Sequence, residues 1–223
     1  MSVTMVMTAA EMQAEGGREK WLELRKQGLG GSDAGVVIGL NPWKSKFQLW
    51  MEKTGQADFE PSPESLERME WGNRLEPVVA DWFEAATGKK LRRCGMIRSN
   101  EHPWMFADVD RLVVGENAIV EIKTTSMYNR AEWEDDKVPP SYVAQAAHYM
   151  GTGGYDKCYF VCLLGGQQAV IREMERDDEE IAALIETEQD FWENYVEPKK
   201  LPEVDGSEQC SKLLDKMNPG GEK

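Results

Sequence analysis

Asp110, Glu121 and Lys123, with Asp108 nearby, are of types and at spacings that suit chemistry on a phosphodiester. They fall in the run WMFADVDRLVVGENAIVEIKT, residues 104–124, whose pattern predicts a β-hairpin: one strand over 106–114, turn residues Gly115, Glu116 and Asn117, and a returning strand over 118–124. Side chains change face at every residue of a strand, so Glu121 and Lys123 project together, with Asp110 expected opposite them and Asp108 on the same face. Two like charges ~4 Å apart repel by ~4 kcal/mol at an effective dielectric of ~20, and a divalent cation removes that cost. An all-oxygen ligand set suits Mg²⁺, with Mn²⁺ able to substitute, rather than zinc. A lysine beside a cation that also docks a phosphate is a constellation for phosphodiester hydrolysis. The alternative is a solvated hairpin face carrying an ordinary Glu–Lys pair.

The elements around this hairpin must supply anything else the site needs. A helix over 18–27, with Trp21, Leu22 and Leu24 as its buried side, ends at Gly28, Gly30 and Gly31; Ser32 and Asp33 then cap a second short helix through Ile38. A helix start fed by glycines can receive an anion, and Arg25 adds a guanidinium; a plain helix cap is the other reading of the same string. A helix over 45–54 and a proline-containing loop over 56–64 precede a long helical stretch over 65–87, with Leu75, Val78, Val79, Trp82 and Ala86 as its apolar stripe and a kink or restart at Pro77. Glu76 sits just before that proline, as a site residue leaning over the hairpin or as a surface charge. A strand over 90–98 enters the sheet, and residues 127–138 are irregular or partly helical. After Pro139-Pro140, Ser141 caps a helix through Met150 on which Tyr142, Gln145 and Tyr149 share one face, either a half-buried packing surface or a wall for a phosphate and its base. Two strands over 155–164 and 168–173 form a second hairpin, and an amphipathic helix runs over 177–196 with Ile181, Leu184, Ile185 and Phe191 inward.

At 223 residues, with 41% hydrophobic residues and eight Trp, the chain can bury one full core, and one domain over 18–196 is expected between a loose leader (1–17) and a partly ordered tail (197–223). No apolar run approaches the ~20 residues needed to span a bilayer, and the N-terminal residues lack a signal peptide's basic start and apolar centre, so cytoplasmic residence is the default. Cys94, Cys158, Cys162 and Cys210 form no CxxC pair and are expected as reduced thiols. A net charge of −14 argues against a protein that coats nucleic acid with its whole surface, but basic residues cluster at 18–26, 44–46 and 89–93 while acid concentrates at 173–190, which fits a one-sided binding face.

Asp110, then Glu121-Ile122-Lys123 at the end of an apolar strand, resembles the PD-(D/E)XK nuclease core, an α/β restriction-endonuclease-like fold with a mixed central sheet flanked by helices. Four strings in order, Arg25…Gly30-Gly31-Ser32, Glu70-Trp71-Gly72-Asn73-Arg74-Leu75-Glu76, Asp110…Glu121-Ile122-Lys123 and Tyr142…Gln145…Tyr149, look like the phage lambda-type (viral recombinase, or alkaline) exonuclease family over residues 18–196. By that resemblance Asp110, Glu121 and the Ile122 carbonyl hold metal, Glu76 completes the site, and Lys123 positions or activates water. Arg25, Ser32 and Gln145 bind the scissile or terminal 5′ phosphate, supported by Tyr142 and Tyr149. The resemblance further implies a Mg²⁺-dependent enzyme that degrades one strand of duplex DNA from a 5′ end, ring-shaped homotrimers around DNA, and a single-strand annealing protein as partner. The chain departs from the family pattern at Asp108 and Arg111: the extra carboxylate would bind metal from a second position or repel phosphate, with Arg111 offsetting it. A structure- or site-specific endonuclease on the same core, a DNA-binding module whose carboxylates no longer function and an RNA-processing nuclease stay open on the residues alone.

Overall fold

Residues 118–125 and 157–164 are nearly unbroken runs of apolar and β-branched residues, and such runs can be strands only if both faces are covered. The computed structural model, which describes residues 2–203 together with Cys210 and Ser211, covers them with helices on both sides. Eight strands are described: β1 (Val3–Met7), β2 (Leu91–Arg92), β3 (Met96–Ser99), β4 (Phe106–Ala107), β5 (Arg111–Val113), β6 (Ala118–Thr125), β7 (Lys157–Leu164) and β8 (Gln168–Glu175). The described α-helices are α1 (Ala9–Gln13), α2 (Gly17–Arg25), α3 (Gly31–Val37), α4 (Lys46–Lys53), α5 (Pro63–Thr87), α6 (Pro140–Gly153) and α7 (Asp178–Phe191), followed by one π turn over Trp192–Val196. The main sheet has the order β2-β5-β6-β7-β8; β6 and β7 are parallel, in register from Ala118↔Lys157 to Thr125↔Leu164, and the other pairs are antiparallel. A parallel pair needs a long crossover, and a 3₁₀ segment over Met127–Trp133 followed by α6 supplies it.

The mixed α/β fold expected from sequence is therefore present, with a layer of helix on each face. On one face Val79, Ala80 and Phe83 of α5 pack on Ala118, Val120, Ile122 and Val161; on the other, Ala144, Ala147 and Met150 of α6 and Ile181 and Leu184 of α7 pack on Ile119, Cys158, Phe160 and Cys162. The buried stripe of α5 differs from the expected one, since Val78 and Trp82 face solvent. Spacing 76-79-80-83 is the face that meets the sheet, so it carries Glu76 towards the hairpin. Helix α5 runs through Pro77 without a restart, from the Ser62 cap to Gly88 in the left-handed region. Leu22 is exposed, although α2 otherwise lies where expected.

Three expectations fail for one reason, a second sheet of order β1-β3-β4. Neither 90–98 nor 106–114 is one strand: each breaks, at residues 93–95 and 108–110, as the chain passes from one sheet to the other. The expected leader is structured, with β1 pairing antiparallel to β3 and α1 closed by a Thr8–Glu11 capping box. Most of the tail lies outside the described residues. Cys94, Cys158 and Cys162 are free thiols, as expected, and burial pushes Cys162 up to about 12.

One pair that has no signal in the local sequence ties the small sheet to the helical layer. His148 of α6 and Glu188 of α7 are fully buried; His148 Nδ1 meets Glu188 Oε1 at 2.8 Å, and Nε2 meets the Phe106 carbonyl at 3.0 Å. Both partners are acceptors, so the ring satisfies them together only as an imidazolium with two N–H donors. Burial pulls the ring's pKa down, but Glu188, the Phe106 carbonyl and Asp33 outweigh it and raise the value above the ordinary 6.5. A group that binds its proton more tightly when folded stabilises the fold at pH values below its unfolded pKa, and that contribution is lost as pH rises through the higher folded value. Denaturant unfolding should therefore show stability declining as pH rises above about 6.5 through the folded pKa, and Glu188→Ala, which strands a buried cation, should cost about 3–5 kcal/mol at pH 6.

Candidate active site

Strand β6 delivers Glu121 and Lys123 to the α6 side of the sheet, where Gln145 waits two turns into α6. Glu121 is 1% exposed, and its Oε2 accepts from Lys123 Nζ and from Gln145 Nε2, each at 2.9 Å. Glu121 Oε1 is buried with no hydrogen-bond partner. Lys123 also donates to Gln145 Oε1 at 3.2 Å and lies 4.8 Å from the centre of the Tyr142 ring. Burial works against its charge, but the Glu121 and Asp110 carboxylates prevail and hold the ammonium well above the ordinary lysine range.

Asp110 occupies the bend between β4 and β5, and its Oδ2 accepts the Ile122 N–H at 2.7 Å, so a carboxylate bonds the backbone of β6 beside Glu121. Burial, followed by the Glu121 charge, raises Asp110 well above the usual carboxylate range; burial also raises Glu121. These are two desolvated carboxylates that repel each other. Glu76 points from α5 to the same place but is bonded to Arg111 Nη1, with Arg93 Nη1 at 3.8 Å. Arg111 thus serves Glu76 rather than offsetting Asp108. Among the described residues no three His, Cys, Asp or Glu side chains converge as a ready metal cluster. The acidic pair Asp110 and Glu121, with Ile122 between them, is what could hold a cation, and the orphaned Glu121 Oε1 is an oxygen donor of the right chemistry.

Asp108 is gripped by neutral donors, Trp21 Nε1 at 2.8 Å and the Tyr149 hydroxyl at 3.2 Å. Gln145 Nε2 reaches the Tyr149 hydroxyl at 3.2 Å, and the Arg25 guanidinium stacks 4.9 Å from the Trp21 ring centre while donating to Ser32 Oγ at 2.7 Å. The expected site residues thus form a connected chain from Lys123, with Glu121 and Tyr142 beside it, through Gln145, Tyr149, Asp108 and Trp21 to Arg25 and Ser32, or lie next to that chain at Asp110, Ile122, Arg111 and Glu76. The cap of α3 is Gly30, not Ser32; Asp33 closes it by accepting the Gly30 N–H at 3.0 Å. Asp33 is 3% exposed and paired with Lys53 at 2.8 Å as well as Arg25 at 3.4 Å; burial alone would raise it, yet the two cations hold it below the usual range. The sequence places Trp21 only in the core, and nothing in the local sequence signals a buried lysine such as Lys53 paired across α3 and α4.

A cleft of about 510 Å³ opens on the α5 side, lined by Glu76, Asn73, Arg93, Arg18, Trp21, Asp108, Asp110 and Ile122. Glu121 and Lys123 do not line it; they flank Asp110 from the α6 side of β6.

The family described as the YqaJ-like viral recombinase domain matches residues 20–156. A Bacillus subtilis (strain 168) protein described as "Uncharacterized protein YqaJ" is 45% identical over 206 residues, covering 91% of this chain; the chain spans 64% of that relative's length. The crystal structure of an alkaline exonuclease (LHK-Exo) from Laribacter hongkongensis superposes with a TM-score of 0.68 at 20% identity, covering 91% of this chain and all of that one. LHK-Exo in complex with dAMP gives a TM-score of 0.68 at 21% identity with the same coverage. At these identities the likeness is one of fold.

The mutual repulsion at Asp110 has a measurable consequence in chelator. A carboxylate whose pKa is raised by folding costs stability once pH exceeds its unfolded value near 3.8, so Asp110→Asn, which keeps an oxygen for the Ile122 N–H, should raise Tm at pH 7 by about 2–4 °C per kcal/mol relieved. An unchanged or lower Tm in calorimetry would show that the two carboxylates do not burden each other.

Proposed function

The chain belongs to the family described as the YqaJ-like viral recombinase domain, and on that premise we propose that it is a metal-dependent exonuclease that hydrolyses one strand of linear double-stranded DNA from its 5′ end, leaving a 3′ single-stranded overhang for recombination. The observation that carries this reading is the meeting of Asp110, Glu121 and Lys123 at one backbone position, with a buried Glu121 oxygen lacking a partner. The fold likeness to an alkaline exonuclease, which has been crystallised with dAMP, supports it.

Asp110, Glu121 and the Ile122 carbonyl would hold Mg²⁺, with Mn²⁺ as a substitute. When bound, such a cation polarises a phosphate oxygen and lowers the pKa of a bound water below its bulk value of ~16. Lys123, held between Glu121 and Gln145, would place its nitrogen beside the attacking water, to position or activate it, and would steady negative charge on the phosphate. Arg25 and Ser32 offer a guanidinium and a hydroxyl at the far end of the chain of contacts, where a terminal 5′ phosphate would dock, and Asp33 and Lys53 fix that end. Gln145, Tyr142 and Tyr149 form the wall between the two, and Asp108 steadies Tyr149 and Trp21 there. The proposal extends, from the family resemblance, to a homotrimeric ring around duplex DNA and a single-strand annealing protein as partner, with a cytoplasmic site of action as the default. Among the described residues no helix is long and apolar enough to cross a membrane.

Linear duplex with 5′ phosphate, linear duplex with 5′ hydroxyl and covalently closed circles, each with and without Mg²⁺, test this directly. Only the linear substrates should be degraded, only with the cation, and Asp110→Ala or Lys123→Ala should lower the rate by ~10²-fold or more. Cutting of circles would make the enzyme an endonuclease; a chelator-insensitive mobility shift with no turnover would make it a binding module.

A further inference from the structure

Helix α5 carries two apolar stripes, and the sheet uses one of them. Val79, Ala80 and Phe83 are buried against the sheet, whereas Trp71 is 56% exposed, Val78 60% and Trp82 39%. With half-buried Leu75 between them and exposed Ala85 beyond, these residues recur at i, i+4, i+7, i+11 and i+14 from Trp71. That spacing keeps them in one line along ~21 Å of helix. Glu84 faces β2, where it accepts the Leu91 N–H at 2.6 Å, and Phe83 faces β7, with its ring centre 5.6 Å from that of Tyr159. The line from Trp71 to Ala85 therefore looks outwards on the β7 side, beside Leu163 and Ile171, which are themselves only partly buried. Among the described residues no other helix shares that apolar cluster.

Charge decides what can cover it. Arg74 and Asp81 stand on one flank of the line; Arg74 pairs with Glu70 at the surface, and Asp81 has no partner among the described residues. A second α5 laid parallel would set Asp81 against Asp81 and Arg74 against Arg74. Laid antiparallel about a two-fold axis beside Pro77, it sets Trp71 against Trp82 and Leu75 against Val78 of the other copy, and brings Arg74 to Asp81 at both ends. The face is thus complementary to itself in apolar pattern and in charge. A single-helix contact buries less than the ~800 Å² per partner of a standard interface, so the pairing depends on concentration.

We infer that two copies of this chain pair through the outward face of α5, antiparallel about a two-fold axis. The cleft, lined on this helix by Met69, Gly72, Asn73 and Glu76, lies on the other side of α5 and stays open to substrate. The inference goes beyond the nuclease reading and does not depend on it. Three chains in a ring would meet through other surfaces, and pairing would double such a ring.

Sedimentation velocity on the full chain, from about 1 to 100 µM, reads the assembly mass without relying on turnover. At the upper end the wild type should reach an even multiple of the 25.3 kDa chain, two copies or, where a ring of three also forms, six. Val78→Arg puts a charge at an exposed position, so it should leave the circular dichroism spectrum unchanged and halve that mass. Arg74→Asp sets like charges together at both ends and should raise the dissociation constant about tenfold or more, and Arg74→Asp with Asp81→Arg should bring it back to within about threefold of the wild type. A wild type of one or three copies throughout, a mass that Val78→Arg does not change, or a charge swap that restores nothing overturns the pairing. Each of those results leaves the nuclease reading intact, because that reading stands or falls on the degradation of linear duplex, which Val78→Arg should carry out at the wild-type rate.

Discussion

The architecture depends on one hydrogen bond of unusual parentage, the Ile122 N–H donated to the Asp110 carboxylate. In a regular hairpin that amide would meet a backbone carbonyl of the neighbouring strand. Replacing the carbonyl with a side chain lets the neighbour end early, at Arg111, and bend away into the second sheet. It also fixes a charged oxygen against the middle of β6, where Glu121 is already buried. The site exists because the sheet is interrupted there.

The interruption is costly in isolation and is supported from several directions. Two desolvated carboxylates near one another penalise the fold, and the compensating contacts are distributed: Lys123 and Gln145 on Glu121, Arg111 on Glu76, and Trp21 with Tyr149 on Asp108. The buried His148–Glu188 pair holds the Phe106 carbonyl, two residues before Asp108, so the bend is pinned from the helical layer as well. One Glu121 oxygen stays buried without a partner, and the proposed cation would supply one.

Much of this was legible from residues alone. Alternation in 118–124 fixed which side chains share a face with Glu121, and the 142-145-149 spacing fixed which residues of α6 would meet them, because both periods follow from backbone geometry. What was not legible concerned contacts between segments distant in sequence. A strand that leaves one sheet for another looks continuous in its residues, so nothing in the sequence marks the breaks at 93–95 and 108–110. The buried stripe of α5 differs from the expected one because Val78 and Trp82 are as hydrophobic as Val79 and Phe83, and only the sheet decides between them. His148 gave no signal at all: a lone histidine in a helix acquires its meaning from a glutamate forty residues later.

The small sheet adds a feature of its own. Residues 3–7, which look dispensable, form the outer strand whose backbone satisfies β3. Without them β3 would present bare amides and carbonyls along a newly opened border, a template for pairing with any extended chain. The opening residues therefore both cover β3 and, through the buried Met7, fill the core against Met96 and Phe106, so that a shortened version of this protein would lose packing and gain a bare strand together.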